Sequence, residues 1–437
     1  MSFVMGRREC VTFAGPRGFH APCLRSSNTS GATRHGSGAG QYAFGLGSAF
    51  AADTITPTFG IGLSDKKGEW DGGLLAAASG FQTRRISTPI LSLGLPGPDR
   101  FRQIRHVNQA FILGAGLGTR LRPLTDRLPK PLIPLFHRPL AAWAMDACRA
   151  AGIRRFAINT HHLPEEWEIA DCGPVLRSFS KEGLRIADWK KSEEVAGNGL
   201  FSKTGHWDGL AVDLFHEPIL LETGGGLKNI AAWIGNEPLL IHNGDIFSTL
   251  PLGELIAAHA ASGLPVTLAV RSEGEAKHLA LDPTVTRVTD IREKLGRAPG
   301  THVFTGIYCI SPEFLDLIPA HEKVSIIPAF LELAAAGKLG AIVLDEGVWM
   351  DLGDRASYRQ AHRDLDLGPA IHPEASVSPG AILERSVVGP GAFIESGAIL
   401  RDSIVWPGCH VTSGAELDGC IIFSGAPVTG KHRDADL

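Results

Sequence analysis

Gly114, Gly116 and Gly118 fall within one five-residue stretch, and Arg120, Arg122, Arg127 and Lys130 follow close behind. A backbone with so few β-carbons turns tightly and can aim several N–H groups at one anion. Pro123 and Pro129 stand between the cations and are expected to hold that segment extended. Fixed donors plus point cations suit a polyphosphate, because charge spread over phosphate oxygens needs electrostatic stabilisation rather than a protein nucleophile. Two other places carry candidate chemistry. Asp245 closes the apolar run Pro238–His242, and ligands of open α/β sheets gather at such strand ends. Leu221-Glu222-Thr223-Gly224-Gly225-Gly226 is a second glycine segment, readable either as a ligand contact or as a turn that needs positive φ.

Two familiar nucleotide motifs are approached in this sequence, one at the first loop and one near the C-terminus, and both fail. A dinucleotide fingerprint runs G-x-G-x-x-G straight into a helix, with an acid after the second strand. Here the spacing is G-x-G-x-G, two dozen residues precede the next helix, and the second strand ends Asn159-Thr160-His161-His162. Gly425–Lys431 copies a P-loop until His432 takes the Ser/Thr position, with no helix after it. His161 and His162 are neighbours on a strand, point to opposite faces, and so make a poor metal pair.

The elements that must position these residues begin at Ala110–Leu113, a short apolar strand. Leu140, Trp143, Ala144, Ala147, Cys148 and Ala151 keep helical spacing up to Gly152. Strands are expected at Arg154–Thr160, Pro238–His242 and Pro265–Arg271, and a helix at Leu252–Ala261 closed by Gly263. Strands alternating with helices predict an α/β fold with a mainly parallel, Rossmann-like sheet covered on both faces. The pattern weakens over residues 167–216, which read as an insertion or long loop carrying a short helix. Near the C-terminus a different period takes over. Ile371, Val377 and Leu383 are followed by Val388, Ile394 and Leu400, then Val405, Val411 and Leu417, with the sets restarting every 17 residues. Six-residue steps with an inward aliphatic and Pro-Gly or Ser-Gly turns predict a short left-handed β-helix of hexapeptide repeats. So few coils are expected to dock on the first domain or on another subunit, as in a homo-oligomer.

With Arg120 and Lys130 in place, the segment 114–135 resembles the signature of the sugar-1-phosphate nucleotidyltransferases, G-x-G-T-R-x-x-P-L-T followed by P-K-P-L. Gly116-Leu117-Gly118-Thr119-Arg120, Pro123-Leu124-Thr125 and Pro129-Lys130-Pro131-Leu132 carry the likeness. Asn243-Gly244-Asp245 resembles the family's N-G-D, Trp349-Met350-Asp351-Leu352-Gly353 its W-x-D-x-G, and Gly306-Ile307-Tyr308 its G-I-Y strand. Glu293-Lys294-Leu295 is similar to E-K-P with leucine in place of proline. The resemblance implies that Leu113, Gly114, Ala115, Gly116, Gly118, Thr119, Glu222, Gly224 and Gly225 bind nucleotide. Arg120 and Lys130 would be catalytic, neutralising the triphosphate and the leaving pyrophosphate. Asn243, Gly244, Glu293, Lys294 and Gly306 would hold the sugar phosphate, and Asp245 and Asp351 a magnesium ion. The implied reaction joins an NTP to a sugar 1-phosphate, with a layout most similar to the mannose-1-phosphate guanylyltransferases; uridylyl or thymidylyl transfer to another sugar is the alternative.

Composition limits the rivals. A formal net charge of -4 over 437 residues does not suit a general binder of nucleic acid or anionic membrane. Seven scattered cysteines without a C-x-x-C fit reduced thiols in a cytoplasmic protein. No apolar run reaches the roughly 18 residues of a membrane helix, and no export signal is legible. Residues 1–106 lack sustained periodicity and read as a disordered or non-native extension, before a nucleotidyltransferase domain at 107–366, a β-helix at 367–425 and a tail at 426–437. Two other classes share these folds. β-Helix acyltransferases use more coils and a catalytic histidine, whereas past the first step of this repeat only His410 lies within it. A non-catalytic regulatory protein of the same fold would be expected to lose some of Arg120, Lys130, Asp245 and Asp351.

Overall fold

The computed structural model describes residues 106–167, 186–191 and 202–437. The predicted extension, apart from His106, and much of the 167–216 insertion lie outside the described residues.

Strand β1 (Gln109–Leu113) is the centre of a nine-stranded sheet. It pairs in parallel with β2 (Arg155–Thr160) on one side and with β6 (Leu239–Asn243) on the other. Between β1 and β2 the chain forms helix α1 (Leu140–Ala150), and Gly152 at φ 101 ends it as the periodicity predicts. Beyond β2 come β3 (Ile186–Lys191), β4 (Ser202–Trp207) and β5 (Leu210–His216). After α2 (Glu222–Asn229), β6 and the short β7 (Ile246–Ser248), helix α3 (Leu252–Ser262) leads to β8 (Val266–Arg271). Strand β9 (Val303–Ile310), helix α4 (Ile327–Ala335), β10 (Leu339–Val343), β11 (Trp349–Asp351) and α5 (Arg355–Asp364) complete this part. The order across the sheet is β10-β8-β9-β6-β1-β2-β5-β4-β3, with β9 and β4 antiparallel to their neighbours.

Strand alternation divides the core. Ala110 and Ile112 of β1, Phe156 and Ile158 of β2, and Leu240 of β6 pack with α1 on one face. Phe111, Ala157 and Ile241, one residue out of step, pack with Leu227 and Phe330 on the other. Each fully buried aliphatic or phenyl side chain contributes about 2 kcal/mol, and a sheet buried on both faces explains why these strands read as unbroken apolar runs.

One expectation is corrected in the described part of the insertion. Residues Ser202–His216 form a β-hairpin on the sheet rather than a long loop, and the expected short helix falls on residues outside the described ones. Asp208 and Gly209 both have positive φ, 47 and 78, at the turn. An Asp-Gly pair between strands is the chemistry of a two-residue hairpin turn, so the signal was present in the sequence.

The C-terminal strands stack in three parallel sheets whose partners, up to the last rung, are 17 residues apart, such as Ser376, Phe393 and His410. That arrangement is compatible with the predicted β-helix. Val388, Ile394, Leu400, Val411 and Ile422 are buried as expected, but Ile371 is 41% exposed because the first coil has no rung stacked outside it. The segment read as a tail carries one more rung, Lys431–Arg433, paired with Glu416–Asp418. Helix α5, capped by a reciprocal Asp354–Ser357 box, joins the two parts. Its Tyr358 hydroxyl donates to Pro134 O at 2.6 Å and accepts from Trp406 Nε1 at 3.1 Å.

Buried histidines, His362 and His259 among them, make the fold sensitive to acid. His362 donates from Nδ1 to Tyr358 O and accepts the Phe136 N–H at Nε2, so protonation would set donor against donor. Burial pushes His362 and His259 down to about 4 from 6.5. Their stabilisation is therefore complete above pH 6.5 and lost as pH falls toward 4, on the order of 3 kcal/mol each at most. Urea midpoints should drop between pH 7 and 5; a midpoint that holds constant over that range would contradict the assignment.

Candidate active site

The loop after β1 is held by its neighbours. Gly114 N donates to Asn159 Oδ1 at 2.8 Å. Gly118 takes φ 60, and a β-carbon there would lie 2.6 Å from Thr125 Cγ2, so both conformation and space demand glycine. From Gly118 the chain enters three 3₁₀ turns, Thr119–Leu121, Leu124–Asp126 and Lys130–Leu132. The extended segment expected from its prolines is thus corrected to a series of turns. Pro123 precedes the second turn and Pro131 lies in the first positions of the third, where a missing N–H goes unused.

The last of these turns buries Lys130 to 6% exposure. Its Nζ lies 2.5 Å from Asp245 Oδ2 and 4.0 Å from Asp351 Oδ1. The aspartates are brought together by strand pairing. Asp245 sits in the turn between β6 and β7, and the antiparallel partnership of β7 with β11 sets Asp351 opposite Ile246. Burial raises the Asp351 carboxyl above its ordinary range, the Asp245 charge raises it further, and Lys130 and Arg120 oppose both. Arg120 reaches the same place from the glycine loop. A β-carbon on Gly353 would lie 2.8 Å from its Nη2, so Gly353 makes the room.

Beside the lysine opens a cavity of about 340 Å³. Leu113, Ala115, Gly116, Lys130, Asn243, Asp245 and Glu222 line it, all of them expected site residues. Other expected residues support the site from outside its lining. Gly244 N donates to Leu113 O at 2.9 Å, stitching β1 to the end of β6. Gly306, at φ 74, makes space beneath Asn243, whose Nδ2 would be 2.7 Å from a β-carbon there. Gly224 and Gly225 both donate to Val324 O, at 2.9 and 3.0 Å. Their N–H groups are therefore engaged by backbone, and their bareness admits the 322–325 loop.

Thr119 is exposed at the start of its turn. Glu293 and Lys294 are exposed after the strand Val288–Ile291 and do not line the cavity. The leucine that follows them has a reason: Leu295 N donates to Asp290 Oδ1 at 3.0 Å, which proline could not do. His161 and His162 bond to separate backbone carbonyls, Glu217 O and Thr125 O, and form no pair. Asn159, Leu220 and Ser325 also line the cavity without a sequence signal that announced them, and Thr223 joins them from the second glycine segment. Asn159 ends a strand, where an amide carries no signal that sets it apart from a turn residue.

An open, mainly parallel α/β sheet with a glycine loop, two cations and two carboxylates at its strand ends defines a nucleotide-binding enzyme class. The chain belongs to the nucleotidyl transferase family, whose pattern matches residues 109–367. It is 29% identical over 297 residues to the mannose-1-phosphate guanylyltransferase of Mycobacterium tuberculosis, covering 64% of this chain and 74% of that one. It is 29% identical over 258 residues to the probable mannose-1-phosphate guanylyltransferase 2 of Arabidopsis thaliana, covering 57% and 63%. It is 27% identical over 266 residues to a UTP–glucose-1-phosphate uridylyltransferase of Synechocystis, covering 59% and 63%. The match therefore spans less than two thirds of the latter two proteins.

Two glycines separate wall from scaffold. A β-carbon on Gly116 meets nothing within 4 Å, whereas one on Gly225 would lie 2.4 Å from Glu322 O. Gly116→Ala should leave the melting temperature within about a degree and weaken nucleotide binding. Gly225→Ala should cost about 2 kcal/mol of stability. Thermal melts with nucleotide titrations check both, and equal melts for the two variants would contradict the geometry.

Proposed function

We propose that this protein transfers a nucleotidyl group from an NTP to a sugar 1-phosphate, releasing pyrophosphate, and that its preferred pair is GTP with mannose 1-phosphate. The observation that carries the reading is the buried Lys130 shared by Asp245 and Asp351 at the mouth of a glycine-walled cavity. The choice of guanine and mannose rests on the names of two relatives, and the third keeps uridylyl transfer as the alternative.

In this reading the loop Gly114–Thr119 wraps the nucleotide, with backbone donors from Ala115 onward, since the Gly114 N–H is held by Asn159. Arg120 and Lys130 face the β- and γ-phosphates and stabilise the charge of the departing pyrophosphate. A sugar-phosphate oxygen attacks the α-phosphorus in line; its P–O bond forms as the bond to pyrophosphate breaks. No protein base is needed, since a phosphate monoester dianion is already nucleophilic.

Among the described residues no cluster of three or more His, Cys, Asp or Glu side chains could enclose a metal. Asp245 and Asp351 nevertheless fit magnesium, which takes one or two carboxylates and completes its shell with water and phosphate oxygens. Bound there, it would supply Lewis-acid neutralisation of phosphate charge.

The same proposal extends to the domains, 107–366 for transfer and 367–425 for a left-handed β-helix, and to a cytoplasmic setting. Cys148, Cys309, Cys409 and Cys420, free and buried, support that setting. No helix among the described residues is long and apolar enough to cross a membrane.

Magnesium-dependent pyrophosphate release measured over four NTPs and several sugar 1-phosphates tests the reading. The expected result is one strongly preferred pair and a loss of about 100-fold or more in Asp245→Asn. Wild-type protein that binds NTP yet releases no pyrophosphate with any pair would instead favour a regulatory protein on this fold.

A further inference from the structure

The two glycine segments that wall the cavity are joined underneath by a buried chain of hydrogen bonds. Gly114 N–H donates to Asn159 Oδ1 at 2.8 Å. The other end of the same amide, Asn159 Nδ2, donates to Glu217 Oε1 at 2.7 Å. Glu217 Oε2 accepts from Leu221 N at 3.0 Å, one residue before α2 begins. Glu217 is 0% exposed, and the two groups that donate to its carboxylate are neutral. Burial raises its carboxyl, while those donors and the His161 ring pull it back. Gly226 seals the junction: a β-carbon there would lie 2.7 Å from Glu217 Oε1 and 2.9 Å from Asn159 Nδ2.

We propose that Glu217, acting through Asn159, is a positioning residue that sets the separation of the two cavity walls and thereby the affinity for the nucleotide. This rests on the nucleotide site proposed above. The polarity of the chain is fixed at both ends by backbone donors. Asn159 cannot flip without facing its NH₂ to Gly114 N–H, and the group at 217 must accept twice. Glutamine, nearly identical in shape, accepts only once, so one buried donor loses its partner. Asn159→Asp satisfies Gly114 but sets two carboxylates against each other. Combining the two changes restores every bond. The aspartate accepts from Gly114 N–H and from the glutamine NH₂, and the glutamine oxygen accepts from Leu221 N–H.

That reciprocal swap is a test that a merely structural role would not pass. Affinities for GTP, ATP, UTP and CTP with magnesium would be measured by calorimetry on the full chain, and KM for the sugar 1-phosphate by pyrophosphate release. For the NTP that wild type binds best, Glu217→Gln and Asn159→Asp should each weaken binding about tenfold. The sugar-phosphate KM should move less than about twofold, and the double variant should recover NTP affinity to within about threefold. Unchanged NTP affinity in both single variants, or a double variant no better than the worse single, overturns the inference and leaves the site reading standing. Wild-type protein that binds none of the four nucleotides overturns both together.

Discussion

A lysine at 6% exposure needs a compensating charge, and two adjacent aspartates need a cation between them. Lys130, Asp245 and Asp351 meet each other's requirement, and the rest of the site is arranged around that exchange. Arg120 offsets the second carboxylate, so two cations stand against two anions before any ligand arrives. Such a balance is tolerant of burial but easily unsettled, because removing one member leaves its partner charged and poorly solvated. It also leaves each group a reason to turn toward a new counter-charge. Phosphate oxygens could take the cations only if something replaced them at the carboxylates.

Three distant stretches of chain supply this group, and sheet geometry converges them. Strand β1 delivers the glycine loop, and its parallel partner β6 delivers Asp245 at the same edge, with Gly244 N–H bonded across to Leu113 O. Asp351 arrives from a further hundred residues along by antiparallel pairing of β11 with β7, which leaves little freedom in its position. The carboxylate pair is thus set by backbone register rather than by side-chain choice. A slip of one residue in that short ladder would turn Asp351 to the opposite face.

Much of this was legible because it is local. Apolar runs, helical spacing and terminal glycines marked β1, α1, β6 and α3 to within a residue or two, and the 17-residue period marked the C-terminal stack. Cations at a fixed distance from a glycine loop also survive in one dimension. Asn159 and Glu217 were not legible, since a buried amide–carboxylate bridge has no spacing rule; its partners are 58 residues apart. At Gly224 and Gly225 the pattern admits a ligand contact or a turn, and the carbonyl of Val324 that occupies their N–H groups lies in a loop no nearby residue announces. The proline-rich cationic segment likewise gave its restriction but not its direction, since proline suits the start of a 3₁₀ turn as well as an extended chain.

The same lysine is also held from behind, which gives the C-terminal stack a part in the site. Two residues past the turn that carries Lys130, Pro134 O receives the Tyr358 hydroxyl, and Phe136 N–H goes to His362. Both side chains belong to α5, which begins directly after Asp351-Leu352-Gly353 and is capped by Asp354. The path from Lys130 through its turn to α5 and back along the chain to Asp351 therefore closes on itself, across the 4.0 Å gap between lysine and carboxylate. Trp406 reaches in from the stack to donate to that same Tyr358 hydroxyl, and Asp434 and Asp436 grip Arg359 and Arg355 on the helix. The repeat thus braces a helix that begins just after Asp351 and is bonded to the segment just after Lys130. The coils therefore have a continuous route of rigid contacts to the charges at the cavity.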